Sequence, residues 1–139
     1  MVAMNVETLL AQSENEYMSA AQLGYFKQRL QVQAEELRHR LRSYQASCEI
    51  ERHPDAGDFA SDEELRAMAV TMIERDKLAL SRVNQALDAM AHGEYGYCCE
   101  TGEPIGLPRL LLVPESLYSV ESMRVREAKG AHQRQVHLS

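Results

Sequence analysis

Apolar side chains in the first half of the chain recur at steps of three, four or seven: Leu23, Phe26, Leu30, Leu37, Leu41, Tyr44 and Cys48. That is the a/d seam of a coiled coil sustained over several heptads, interrupted only by Gln33 and Ala34. Gln, Glu and Arg fill the remaining positions, as a solvated face requires. The spacing predicts one helix over 19–52, opened by Ser19-Ala-Ala-Gln22, a Ser-x-x-Gln capping box that satisfies amide donors at a helix start. A second seam, Leu65, Met68, Met72, Ala79, Val83, Ala86 and Met90, predicts a return helix over 61–92, broken by Arg75 and Asp76. It opens with the capping box Ser61-Asp-Glu-Glu64 and stops at Gly93. A further row, Ile73, Leu80 and Leu87, widens the apolar face of its C-terminal half, which is expected to pack on a globular end.

Between the two helices lies His53-Pro-Asp-Ala-Gly-Asp-Phe-Ala60, where proline and glycine interrupt the helical pattern and the chain should reverse. A helix of ~34 residues at ~1.5 Å per residue is about 50 Å long, so part of such a hairpin should project, with Asp55 and Asp58 at its far end. Residues 1–18 offer Val6, Leu9 and Leu10 on one side of a short helix expected to pack on the globular end. From Glu94 to Pro108 turn formers dominate, and Arg109 to Val113 is apolar. Residues 116–129 predict a last helix with Leu117, Val120 and Met123 or Arg124 on its face, stopped by Gly130 and followed by a polar tail. The fold class is therefore mainly α: an N-terminal segment (1–18), a long antiparallel coiled-coil hairpin (19–92, tip 53–60) and a small globular end with a C-terminal helix (93–139).

Charge narrows the partners. A net charge of -6 disfavours independent binding to duplex DNA, whose phosphates require a basic face. No apolar run approaches the ~20 residues that span a bilayer, and the N-terminal residues lack the basic flank and apolar run of a secretory leader. Cys48, Cys98 and Cys99 make an odd count, which fits reduced thiols in a cytoplasmic protein better than a disulfide framework. A monomer is expected.

Enzyme signatures are absent: there is no phosphate-cradling glycine loop, nucleophile elbow or His-Glu pair at metalloprotease spacing. The Gly96-Tyr-Cys98 region resembles a zinc ribbon whose ligands have been removed. The four ligand positions read Cys98, Thr101, Ser119 and Ser122, and hydroxyls that keep their protons at neutral pH do not form a closed tetrahedral zinc site. No metal is expected, and Ile105, Leu107, Leu110, Leu111, Leu112, Val113, Leu117 and Val120 must then hold this end by burial. On residue type alone, Asp55 and Asp58 also read as an ordinary solvated turn, Arg75 as a snorkelling side chain, Arg82 as a surface charge, and Cys48 as a small seam residue.

These features together resemble the DksA/TraR family, in its full-length DksA-type form. The resemblance rests on Glu16-Tyr-Met-Ser-Ala-Ala-Gln-Leu23, Asp55-x-x-Asp58-x-Ala60, Gly93-x-x-Gly96-Tyr-Cys98, Glu103-Pro-Ile-Gly-Leu-Pro-Arg-Leu110 and Pro114, and covers about residues 16–129. It implies a transcription regulator, not an enzyme, that binds bacterial RNA polymerase in the secondary channel. Its acidic tip would modulate open-complex stability at ribosomal RNA and stringent-response promoters, with ppGpp as regulatory ligand. By the same resemblance Asp55, Asp58 and Ala60 are the acting tip, Arg75 and Arg109 polymerase contacts, and Arg82 and Arg124 candidates for ppGpp. The family's cysteine quartet is reduced to Cys98, which matches a cysteine-poor branch that folds without zinc. Two departures bear on ppGpp: Val113 and Met123 stand where the family has basic contacts. A transcript-cleavage factor of the Gre type, which also carries an acidic coiled-coil tip, is the alternative from another class, and a coiled-coil adaptor without polymerase is a third.

Overall fold

The computed structural model describes residues 5–50 and 59–138, apart from the side chains of 47–50, 59–62 and 131–138. Helices α1 (Val6–Ala11), α2 (Ala20–Ile50), α3 (Phe59–Ala91), α4 (Leu107–Leu112) and α5 (Val120–Leu138) follow in order, with a single 3₁₀ turn at Glu14–Glu16. The fold is mainly helical, with the two long helices α2 and α3 packed on one another. Among the described residues extended pairing is confined to one antiparallel bridge, Tyr97 with Pro104. The chain divides into two compact units, Met1–Leu30 with Gln85–Ser139, and Gln31–Asn84.

In the second unit, Ala34, Leu37 and Val83 are buried on the seam. Ala34, which looked like an interruption, is a small seam residue. Asp76 is buried too, only 1% exposed, so it occupies the seam instead of breaking it. The seam of α3 runs in phase with Asp76 and Val83, through half-buried Met72, Ile73, Ala79 and Leu80. Leu65 and Met68, expected inside, are exposed. The expected Ser61 cap is also corrected: α3 begins two residues earlier, at Phe59, which puts Ala60 in its first turn and Ser61 inside it.

The first unit has its own core. Leu9, Phe26, Leu30, Ala86, Tyr95 and Leu110 are buried, each large apolar member contributing about 1.5–3 kcal/mol. The Phe26 and Tyr95 rings lie 5.8 Å apart, and the Tyr95 hydroxyl donates to Pro114 O at 2.8 Å. Val6 and Leu10 are exposed, leaving Leu9 as the anchor of α1. The α2 start is capped by Ser19, whose Oγ accepts from Gln22 N, but Gln22 Oε1 reaches back to the Met18 amide at 2.9 Å, one residue before the expected partner. The α3 end is closed by Gly93 at φ 75, with Glu94 N donating to Ala89 O at 2.8 Å. Of the eight residues expected to replace zinc by burial, Ile105 and Leu110 are buried while Leu112 and Val120 are exposed. The last helix starts at Val120, where Ser119 Oγ accepts from Ser122 N, and runs through Gly130 to Leu138 instead of stopping there.

Candidate functional site

The ribbon is folded around Cys98. Cys98 N donates to Glu103 O at 2.8 Å, Gly102 N to Cys98 O at 2.8 Å, and Cys99 N to Leu117 O at 2.9 Å, so the loop closes through its own backbone. The Cys98 sulfur is buried and lies 3.3 Å from Ser122 Oγ. Burial pushes the Cys98 thiol up, but hydrogen bonds from the Ser122 and Thr101 side chains and the Ser119 and Thr101 backbone outweigh it and bring the thiol down to about 5. The four positions read as ribbon ligands, Cys98, Thr101, Ser119 and Ser122, come together as a hydrogen-bonding cage for one sulfur. They do not fit zinc: the donor set is one thiol and three hydroxyls, the Ser122 hydroxyl is engaged with the sulfur, and Ser119 Oγ caps α5. Among the described residues no cluster of three or more His, Cys, Asp or Glu is arranged for a metal ion.

Cys99 points elsewhere. It is exposed and hydrogen-bonds Tyr118, a contact that, with burial, raises the Tyr118 phenol. Arg126 stacks over the Tyr118 ring at 4.0 Å and pairs with Glu100 at 2.7 Å, tying α5 to the ribbon.

The segment before α2 is clasped to the ribbon by Tyr17. Its hydroxyl donates to Gly96 O at 2.5 Å and accepts from Gly106 N at 2.9 Å, and burial raises its phenol. Its ring meets Tyr97 edge-on at 5.6 Å. Gly96 has φ 91, a left-handed conformation that favours glycine, and a Cβ there would fall 2.6 Å from Met18 Sδ and force that side chain to move.

Among the residues singled out in the sequence, Arg75 and Arg82 are exposed two turns apart on one stripe of α3. Arg40 forms a bidentate fork on Asp76, with both hydrogen bonds at 3.1 Å, while Arg75 Nε stays 3.9 Å from that carboxylate. The Arg75 side chain is 69% exposed. In the other unit Arg109 is half-buried on α4, its Nε buried without a hydrogen-bond partner, and Arg124 is exposed on α5. Val113 and Met123 are both half-buried. Asp55 and Asp58 lie outside the described residues, as does the Ala60 side chain. The Arg40–Asp76 pair was not foreseen; its signal was that Asp76 falls one heptad before Val83.

A protein 41% identical over 120 residues, 84% of each chain, is the RNA polymerase-binding transcription factor DksA of Caulobacter vibrioides. The chain belongs to the DksA/TraR family. The family's sequence profile, described as the prokaryotic dksA/traR C4-type zinc finger, matches residues 93–121, the ribbon and the start of α5. The factor of the same name from Escherichia coli K12 is 25% identical over 126 residues, 89% of this chain and 83% of that one. Among solved structures, transcription factor DksA2 from Pseudomonas aeruginosa superposes with a TM-score of 0.80 at 40% identity, covering 89% of this chain and 97% of that one. The region matched by this C4-type profile holds two cysteines, Cys98 and Cys99.

Proposed function

We infer that this chain is an RNA polymerase-binding transcription factor of the DksA kind. The carrying observation is the 41% identity to a DksA over 84% of both chains, together with the paired long helices that a DksA2 structure shares. The transcript-cleavage alternative has no observation in its favour and is not carried further.

The finer assignment is what the resemblance to the DksA/TraR family implies for the matching positions. The hairpin enters the secondary channel of the polymerase, and Asp55 and Asp58, flanked by small Ala60, accept hydrogen bonds from basic or backbone donors near the active centre. The factor performs no chemistry itself. It shifts the lifetime of open complexes by favouring one arrangement of the polymerase over another, which requires only differential affinity. Arg75, whose side chain is largely exposed, and Arg109 contact the polymerase surface. Arg82 and Arg124 are the candidate cations for ppGpp; with Val113 and Met123 unable to pair with phosphate, the effect of the nucleotide is weaker than in a relative with basic residues at those positions. The protein acts in the cytoplasm as a monomer, without independent DNA binding. It folds without zinc, because the cage around Cys98 satisfies the sulfur that a metal would otherwise hold.

The direct test is equilibrium binding of the labelled full chain to bacterial core polymerase, followed by transcription from a ribosomal promoter with and without ppGpp. Saturable binding that Arg75→Ala weakens, and a promoter effect that ppGpp enhances, are expected. Absence of binding by the wild-type chain overturns the reading.

A further inference from the structure

The first unit carries an open groove of about 810 Å³ that the polymerase contacts named above do not use. One wall is the segment from Leu10 to Tyr17, the other is formed by Tyr97 and by Pro104 to Pro108. Its lining mixes apolar surface with the polar side chains of Gln12, Ser13, Glu14 and Asn15, and its aromatic and proline part is rigid. Tyr17 is locked by hydrogen bonds at both Gly96 and Gly106, Tyr97 stacks edge-on against it, and Pro104 and Pro108 have little freedom to lose. Leu10 is 52% exposed and Tyr97 38% exposed, so apolar surface is presented to a partner without prior rearrangement.

The two walls share a sign of charge. Residues 5–17 contribute Glu7, Glu14 and Glu16, residues 93–108 contribute Glu94, Glu100 and Glu103, and neither segment contains Lys or Arg. Glu100 is taken by Arg126, but among the described residues no salt bridge engages Glu14, which lines the groove, or Glu103, beside Pro104. An aromatic and proline floor under an acidic rim is complementary to an extended segment carrying Lys or Arg next to an apolar anchor.

We propose that this groove docks such a basic, apolar-anchored segment of the polymerase surface, as a contact separate from the tip and from Arg75. The proposal rests on the polymerase reading above. The anchor lies against Tyr97 and Leu10, and the cations pair with Glu14 and Glu103. Rim pairs of this kind chiefly govern selectivity and salt dependence, while the anchor fixes position.

Three full-length proteins test it, each checked for a wild-type melting curve: wild type, Glu14→Lys with Glu103→Lys, and Glu121→Lys with Glu127→Lys as a control that changes net charge equally on α5. Affinity for core polymerase is measured across a salt series. The groove variant is expected to bind about tenfold more weakly at low salt, with a shallower salt dependence, and the control within about twofold of wild type. A photo-crosslinking residue at Leu10 is expected to label a Lys- or Arg-bearing segment of a polymerase subunit. Wild-type affinity in the groove variant, equal loss in both variants, or no crosslink from position 10 overturns the groove while leaving the polymerase reading standing. Failure of the wild-type chain to bind overturns both.

Discussion

Removing either partner of the Arg40–Asp76 fork should have unequal effects. Asp76 is 1% exposed, whereas the Arg40 side chain is 52% exposed. Arg40→Ala therefore strands a carboxylate inside the seam, with only Arg75 Nε at 3.9 Å to compensate. Losing one member of a buried pair costs roughly 3–5 kcal/mol, and the partial exposure of Arg40 with the nearby Arg75 argues for the lower end, about 3 kcal/mol. Asp76→Ala leaves a guanidinium that turns to water, so it should cost about 1 kcal/mol, the scale of an exposed pair. Asp76→Leu, which continues the apolar seam between Met72 and Val83, should be neutral or stabilising. Urea denaturation followed by far-UV circular dichroism measures all three, and the double variant Arg40→Ala with Asp76→Ala should cost no more than Asp76→Ala alone. Equal losses from the two single alanine variants, or a larger loss from Asp76→Ala, would mean that the carboxylate is solvated in the native protein and would refute the reasoning.

Gly96→Ala combines a left-handed backbone with a Cβ 2.6 Å from Met18 Sδ, so a loss of about 2 kcal/mol is expected in thermal melts, whereas Gly24→Ala, inside α2 with nothing within 4 Å, should gain about 0.5–1 kcal/mol. With its folded value drawn down to about 5, the Cys98 thiol is expected to ionise below neutral pH; a component of thiolate absorbance should titrate near that value in wild type and be lost in Cys98→Ser. The linkage sign follows: a folded value below the unfolded one makes this contribution to stability grow as pH rises from about 5 towards the unfolded thiol range near 8.5, and fade as pH falls through 5. A Cys98 titration above 8.5 would contradict it. Purified protein should carry no stoichiometric zinc by elemental analysis, and a chelator should leave its melting temperature unchanged; one tightly held zinc per chain would show that the Cys98 cage is a metal site after all.

Periodicity made the two long helices legible, because a/d spacing in Phe26, Leu30 and Leu37 reports the face that must be buried. It misled where polarity was taken as a break. Asp76 keeps the heptad phase, but its partner Arg40 lies 36 residues away on what reads as a solvated face. The Ser61 box was mistaken for a start because Phe59 and Ala60 can enter the helix before it. Gly130 was mistaken for a stop, although one glycine inside a helix costs only about 1 kcal/mol and Lys129 and Ala131 around it favour the helix. Spacing singled out Cys98, Thr101, Ser119 and Ser122, but not that Ser122 would turn to the sulfur. The Tyr17 clasp, spanning 79 and 89 residues, has no local pattern that would reveal it.

The most direct measurement for the central claim is the half-life of open complexes at a ribosomal RNA promoter, with wild-type chain and with Asp58→Asn at saturating, equally bound concentrations. Wild type should shorten the half-life several-fold, and Asp58→Asn should bind the polymerase but leave the half-life close to that of polymerase alone. Equal shortening by both proteins would contradict the assignment of function to the tip.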